Sequence, residues 1–179
     1  QAPTCVLGSL LRMAAATATR MKNSSHEMTF ERFPAVNGRE LGEDAVKGAR
    51  KKFRWWCALG RPIRIGEIGC AYSHFAIYRQ MIERGEQIAC VLEDDIVLSD
   101  DFARRLGEAA GFVDCAKPQV VLFSNHTGRT DEADGISKIQ GDRHSESYLL
   151  TMKAAEALLK ANTPMEAPCD YWEIGRAHV

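Results

Sequence analysis

The 179-residue chain has no Cys-x-x-Cys pair, no cysteine–histidine cluster at zinc-finger spacing, no internal repeat and no low-complexity segment. Small zinc-stapled modules, solenoids and linker-like chains are thereby set aside. No stretch approaches the roughly 18–20 apolar residues of a membrane-spanning helix. The mildly apolar start, residues 1–18, carries Arg12 within it and makes a poor signal peptide. An excess of one charge is missing too: 23 basic against 24 acidic residues leave a net charge of −1, which gives no electrostatic case for a nucleic-acid partner. The six cysteines, at positions 5, 57, 70, 90, 115 and 169, are dispersed. They are expected to be reduced thiols in a cytoplasmic protein, with Cys70 and Cys90 as small core residues.

What is present is an ordinary globular composition, 45% hydrophobic and 26% charged, in a length that suits a single domain. The most informative stretch is Ile88-Ala89-Cys90-Val91-Leu92-Glu93-Asp94-Asp95-Ile96-Val97-Leu98. Five apolar residues run into three adjacent carboxylates. A continuous apolar run of this kind is expected to be a strand buried on both faces, as in parallel sheets. Ligands of open α/β sheets sit beyond the carboxyl ends of the strands, so Glu93, Asp94 and Asp95 are candidates to hold a divalent cation and, through it, a phosphorylated substrate.

Taken in order, residues 5–11 are expected to form a first strand, 13–21 a helix and 28–33 a second strand, followed by a turn over 34–38 that contains Asn37-Gly38. Residues 39–64 are irregular, basic towards their end, and carry Trp55-Trp56, readable either as core or as a platform for a sugar or base. The clearest helix covers 67–84, with an apolar stripe of Ala71, Phe75, Tyr78 and Ile82 and a neighbouring line of Glu67, Cys70 and His74; Gly85 stops it. After the acidic stretch, Ser99 is expected to cap a helix with Asp100 and Asp101 in its first turn and Phe102, Leu106, Ala109 and Val113 facing the core. A buried strand over 119–123, a polar loop over 124–128, a short strand over 147–150 and a helix over 152–160 capped by Thr151 complete the pattern. Strands alternating with helices argue for an α/β sandwich with a mainly parallel central sheet.

Each chemical candidate has a structural competitor. Acids after a strand often cap the next helix, although Ser99, Asp100 and Asp101 already serve that purpose here. A lone helical histidine such as His74 is more often structural than catalytic. Glu67 also suits the start of a helix, where its charge complements the dipole. Asp170, Tyr171 and Glu173 follow a proline-containing loop and read equally as exposed charge or as function.

Glu67-Ile-Gly-Cys-Ala-Tyr-Ser-His74, followed after one helix by Val91-Leu-Glu-Asp-Asp95, resembles glycosyltransferase family 25. That family includes bacterial lipooligosaccharide galactosyltransferases and is related to the collagen galactosyltransferases. Phe30-Glu-Arg-Phe-Pro-Ala-Val-Asn-Gly38, Tyr148-Leu-Leu-Thr and Pro168-Cys-Asp170 are similar to flanking segments of the family. In place of an Ile-Asn-Leu-x-Arg start the chain offers Gly8-Ser9-Leu10-Leu11-Arg12. It also stops soon after Asp170, so the expectation is one family 25-like domain over 1–179 that lacks a C-terminal acceptor-binding portion.

The resemblance implies a GT-A-like, Rossmann-type sandwich and transfer of a hexose, galactose or glucose, from a UDP-sugar. The implied acceptor is a saccharide or glycolipid such as the lipooligosaccharide or lipopolysaccharide core, reached at the cytoplasmic face of the inner membrane. It implies Mn²⁺ or Mg²⁺ on Asp95, shared with Glu93 and Asp94, and stabilisation of the departing UDP. Asp170 is the choice for the carboxylate that takes the acceptor proton, with Glu93 as the other catalytic carboxylate. Asp94, Asp95, Glu67, His74 and Arg64 are assigned to donor binding, with Arg61 or Arg64 on the pyrophosphate. Two rivals remain at this point: a Mg²⁺-dependent phosphotransfer enzyme using the acidic triplet, and a non-catalytic nucleotide-sugar or carbohydrate-binding domain.

Overall fold

A computed structural model describes residues 11–15, 30–51, 61, 63–123, 146–162 and 165. Among these residues, five strands form one sheet: β1 (Leu11–Ala15), β2 (Phe30–Pro34), β3 (Ile88–Glu93), β4 (Val120–Leu122) and β5 (Ser147–Thr151), in the order β2-β1-β3-β5-β4. The described helices are α1 (Glu43–Lys51), α2 (Ile65–Glu83), α3 (Phe102–Phe112) and α4 (Met152–Ala161), with a 3-10 turn at Gly38–Glu40.

The sheet is mixed. β1 pairs in parallel with β2 (Leu11 opposite Phe30) and with β3 (Leu11 opposite Cys90), whereas β5 runs antiparallel to both β3 and β4. This corrects the expected mainly parallel sheet. All five residues of β5 are buried, so its apolar pattern is that of any strand covered on both faces, and such a pattern carries no information on direction. The first strand is also displaced. Residues 13–15, expected in a helix, lie in β1, because pairing with two neighbouring strands outweighs the helical preference of methionine and alanine. The remainder of the expected first strand and first helix lies outside the described residues.

Alternation along the strands divides the core into two layers. Ala89 and Val91 of β3 and Tyr148 and Leu150 of β5 pack with Ile68, Ala71, Phe75, Ile77, Tyr78 and Met81 of α2 and Ala154, Ala155 and Leu158 of α4. On the opposite face Ile88, Cys90 and Leu92 of β3 and Leu149 of β5 pack with Phe102, Leu106, Ala109 and Ala110 of α3. Burial of one such large side chain is worth about 1.5–3 kcal/mol. The sheet is therefore clamped between α2 with α4 on one side and α3 on the other.

The helix ends follow local chemistry. α2 stops before Gly85, whose φ of 67° is the left-handed conformation that glycine adopts without strain. Thr151 caps α4, its hydroxyl accepting from the Ala154 amide. At α3 the expectation is corrected: Asp101 holds the N-cap position and Ser99 and Asp100 precede the helix. The Ser99 hydroxyl donates to Asp101 at 2.6 Å, while Arg105 and Arg104 bind the other carboxylate oxygen. These contacts, the Ser99 hydrogen bond first, hold the Asp101 carboxyl at about 2.

Among the described cysteines, Cys70 and Cys90 are thiols outside any disulfide, and burial pushes the Cys90 thiol far up, so it stays protonated. Cys115 is in a disulfide, which corrects the expectation of six reduced thiols. Isolated spacing carries no pairing information, and the partner lies outside the described residues.

Candidate functional site

The alternation of β3 decides where the acids go. Ala89 and Val91 face α2, so Glu93, two residues further on, is directed to the same side. There its Oε1 lies 3.5 Å from Nε2 of the fully buried His74. The strand ends at this point, and Asp94 and Asp95 form an exposed turn beyond its carboxyl edge. The acidic triplet is thus divided. One carboxylate turns inward against α2, and two present hard oxygen donors to the surface.

α2 is built to receive Glu93. Gly69 and Gly38 allow the helix to touch the segment after β2 backbone to backbone. A Cβ on Gly69 would lie 2.8 Å from both the Val36 carbonyl oxygen and the Gly38 nitrogen, and one on Gly38 would run into the Ile65 carbonyl oxygen. Ser73 fastens the same segment: its hydroxyl accepts from the Val36 amide at 2.8 Å and donates to the Gly69 carbonyl at 2.9 Å. At the helix start, Glu67 takes two hydrogen bonds from the Arg61 guanidinium and one from the Arg64 amide at 2.6 Å. The Arg61 hydrogen bond is the main reason its carboxyl sits below the usual range, against the opposing effect of burial. Glu67 is therefore the brace that fixes the entry to α2, and Arg61 is engaged with it. The Arg64 side chain is exposed at the helix start.

His74 belongs to a buried polar chain. Its Nδ1 is hydrogen-bonded to the Tyr148 hydroxyl at 2.6 Å, and that hydroxyl to the Tyr78 hydroxyl at 2.8 Å. The His74 and Tyr148 rings stack with centroids 5.7 Å apart. Cys70 lies one helical turn before His74, and the ligand-type atoms of Cys70, His74 and Glu93 all fall within 4.8 Å of one another.

Of the residues singled out in the sequence, Glu93 and His74 are brought together, Glu67 and Arg61 form a separate pair, and Asp94 and Asp95 stand at the adjoining turn. Asp170, Tyr171, Glu173, Trp55, Trp56 and the 124–128 loop lie outside the described residues. The sequence reading missed the Tyr78–Tyr148 pair. Tyr78 was visible only as a member of the apolar stripe, and the register that sets Tyr148 opposite Val91 is not encoded in either segment alone. The contact between Gly38 and Gly69 was missed for the same reason, although a glycine at each position was its one available signal.

The sequence profile of Glycosyltransferase family 25 (LPS biosynthesis protein) matches residues 15–129, a span that includes β2, α2, β3 and the acidic turn. The chain is 40% identical over 94 residues to a Glycosyltransferase 25 family member of Aedes aegypti, covering 50% of this chain and 16% of that protein. It is 27% identical over 161 residues to Procollagen galactosyltransferase 1-B of Xenopus laevis, covering 79% of this chain and 26% of that protein. It is also 33% identical over 97 residues to Inactive glycosyltransferase 25 family member 3 of Mus musculus, covering 49% and 16% respectively. The chain thus spans between 16% and 26% of the length of these relatives.

Proposed function

Because the chain belongs to glycosyltransferase family 25, we propose that it carries the donor site of a hexosyltransferase that moves galactose or glucose from a UDP-sugar to a saccharide or glycolipid acceptor. The observation that carries this reading is the division of the acidic triplet at the end of β3. Glu93 is turned inward to His74, which leaves Asp94 and Asp95 as paired hard donors at the surface. That donor set suits Mn²⁺ or Mg²⁺, which prefer carboxylate oxygens and bridge to phosphates. Bound there, the cation supplies neutralisation of the negative charge that develops on the UDP leaving group.

The chain's own residues supply the rest of the proposal. The parallel β2-β1-β3 part of the sheet, with Asp94 and Asp95 beyond its carboxyl edge, suits the nucleotide-binding half of a GT-A-like sandwich. His74 lies against Glu93, the residue that leads into the acidic turn. Glu67 and Arg61 fix the start of α2, where the exposed Arg64 side chain is available to a diphosphate. Asp170 is assigned the proton of the acceptor hydroxyl.

Calorimetric titration with UDP tests the reading. We expect Mn²⁺ to tighten UDP binding at least tenfold in the native protein but not in Asp94→Asn/Asp95→Asn. Equal UDP affinity with and without Mn²⁺ in the native protein would sink the metal assignment. The mouse relative named inactive supports a second reading, a domain that binds a nucleotide-sugar without turnover. UDP release from UDP-galactose or UDP-glucose in the presence of a galactoside acceptor separates the two.

A further inference from the structure

We propose that Cys70, His74 and Glu93 form a second cation site, distinct from the exposed aspartate turn, that takes a borderline transition-metal ion of the Zn²⁺ class. The three come from two elements locked together by the fold, and their ligand-type atoms lie within 4.8 Å of one another. Cys70 and His74 are spaced i, i+4 on α2, the separation at which a helix presents two side chains to one ion. Glu93 supplies the third donor from the end of β3, its oxygen 3.5 Å from His74 Nε2. Tetrahedral zinc, with bonds of about 2.0–2.3 Å, sets its ligand atoms about 3.3–3.8 Å apart. The nitrogen–oxygen pair is already at that separation, and the half-buried Cys70 sulfur lies within 4.8 Å of both partners.

The surroundings of His74 match those of a metal-bound imidazole. One ring nitrogen of such a residue ligates while the other is held by a hydrogen-bond partner that fixes the ring. Here Nδ1 is held by Tyr148, itself hydrogen-bonded to Tyr78, and Nε2 is the nitrogen turned to Glu93.

Ligand softness separates the two sites. A thiolate with an imidazole selects Zn²⁺ or Co²⁺ over Mn²⁺ and Mg²⁺, whereas the Asp94–Asp95 turn offers oxygen alone. On binding, the Cys70 thiol loses its proton to solvent and the sulfur forms the metal bond. Three protein ligands leave the fourth position to water or to a small ligand. The ion would tie α2 to the last residue of β3, directly before the acidic turn. This inference does not rest on the transferase reading, because it concerns metal binding alone.

Cobalt substitution on the purified full chain tests it. We expect one equivalent of Co²⁺ to give a thiolate-to-cobalt charge-transfer band with tetrahedral d–d absorption, both removed by Zn²⁺. Zn²⁺, but not Mn²⁺, is expected to protect Cys70 from alkylation. Cys70→Ser should abolish the band and weaken Zn²⁺ at least tenfold. Tyr148→Phe should keep the band and weaken Zn²⁺ about tenfold, the usual effect of losing the partner behind a ligand. Asp94→Asn/Asp95→Asn should leave the band unchanged while losing Mn²⁺-dependent UDP binding, so the two sites fail separately. An oxygen-only octahedral cobalt spectrum in the native chain overturns the proposal without any variant. A charge-transfer band that survives in folded Cys70→Ser overturns it as well.

Discussion

Gly38 and Gly69 are the residues on which the geometry of the site turns. Each faces the backbone of the other's segment, and no side-chain motion can relieve the overlap that a methyl group would create there. Gly69→Ala is therefore expected to push the segment after β2 away from α2 and to destabilise the protein by about 1–3 kcal/mol. Ala substitution at Gly66, which has nothing within 4 Å, should be neutral or slightly stabilising because it removes a glycine from a helix. Urea unfolding of both variants decides the matter, and equal midpoints would show that the close approach costs nothing to disturb. The same two residues show how much of the site was legible. The pattern Glu-x-Gly-Cys-x-x-Ser-His and the acidic stretch after β3 singled out Glu67, His74 and Glu93, but they did not separate their tasks. Glu67 proves to brace Arg61 and the Arg64 amide, and only the period of β3 sends Glu93 inward and leaves Asp94 and Asp95 outside.

At the scale of elements, α2, β3 and α4 were legible because each joins a strong period to a terminal signal: Gly85 for α2, the acids for β3, Thr151 for α4. The direction of β5 and the position of β1 were not, since both are set by pairing with distant strands. Thr151 is the element-scale hinge between what was visible and what was not. Its hydroxyl caps α4 through the Ala154 amide, as expected, and it also accepts from the Gln119 amide at 3.1 Å and donates to the Lys117 carbonyl at 2.7 Å. One buried hydroxyl thus ends β5, begins α4 and secures the approach to β4. Thr151→Val keeps the shape but strands buried amide donors, so a loss of about 2–4 kcal/mol is expected, more than a cap alone contributes. Thr151→Ser, which keeps the hydroxyl, should recover most of it. A valine variant no worse than a surface cap deletion would show that the β4 contacts are idle.

At the scale of the molecule, the sheet separates two cores that share no side chains among the described residues. Tyr78 and Tyr148 belong to the α2 face, Leu106 to the α3 face. The arrangement predicts which pairs of substitutions interact. Tyr78→Phe and Tyr148→Phe both break the one hydroxyl contact of 2.8 Å, so their effects on stability should be non-additive by about 0.5–3 kcal/mol. Leu106→Ala alone should cost about 2–5 kcal/mol through the cavity it leaves. Combined with Tyr148→Phe, it should add within about 0.5 kcal/mol, because the sheet lies between them and they belong to different cores. Only the tyrosine substitutions should disturb His74, and with it Glu93 and the acidic turn. Measured by urea unfolding beside Mn²⁺-dependent UDP affinity, Leu106→Ala is expected to lower stability and leave the affinity of the folded protein unchanged. Tyr148→Phe is expected to move both. If Leu106→Ala altered UDP affinity as strongly as Tyr148→Phe, the acidic turn would be governed by both layers of the core, and the chain from Tyr78 through His74 would lose its special place in the site.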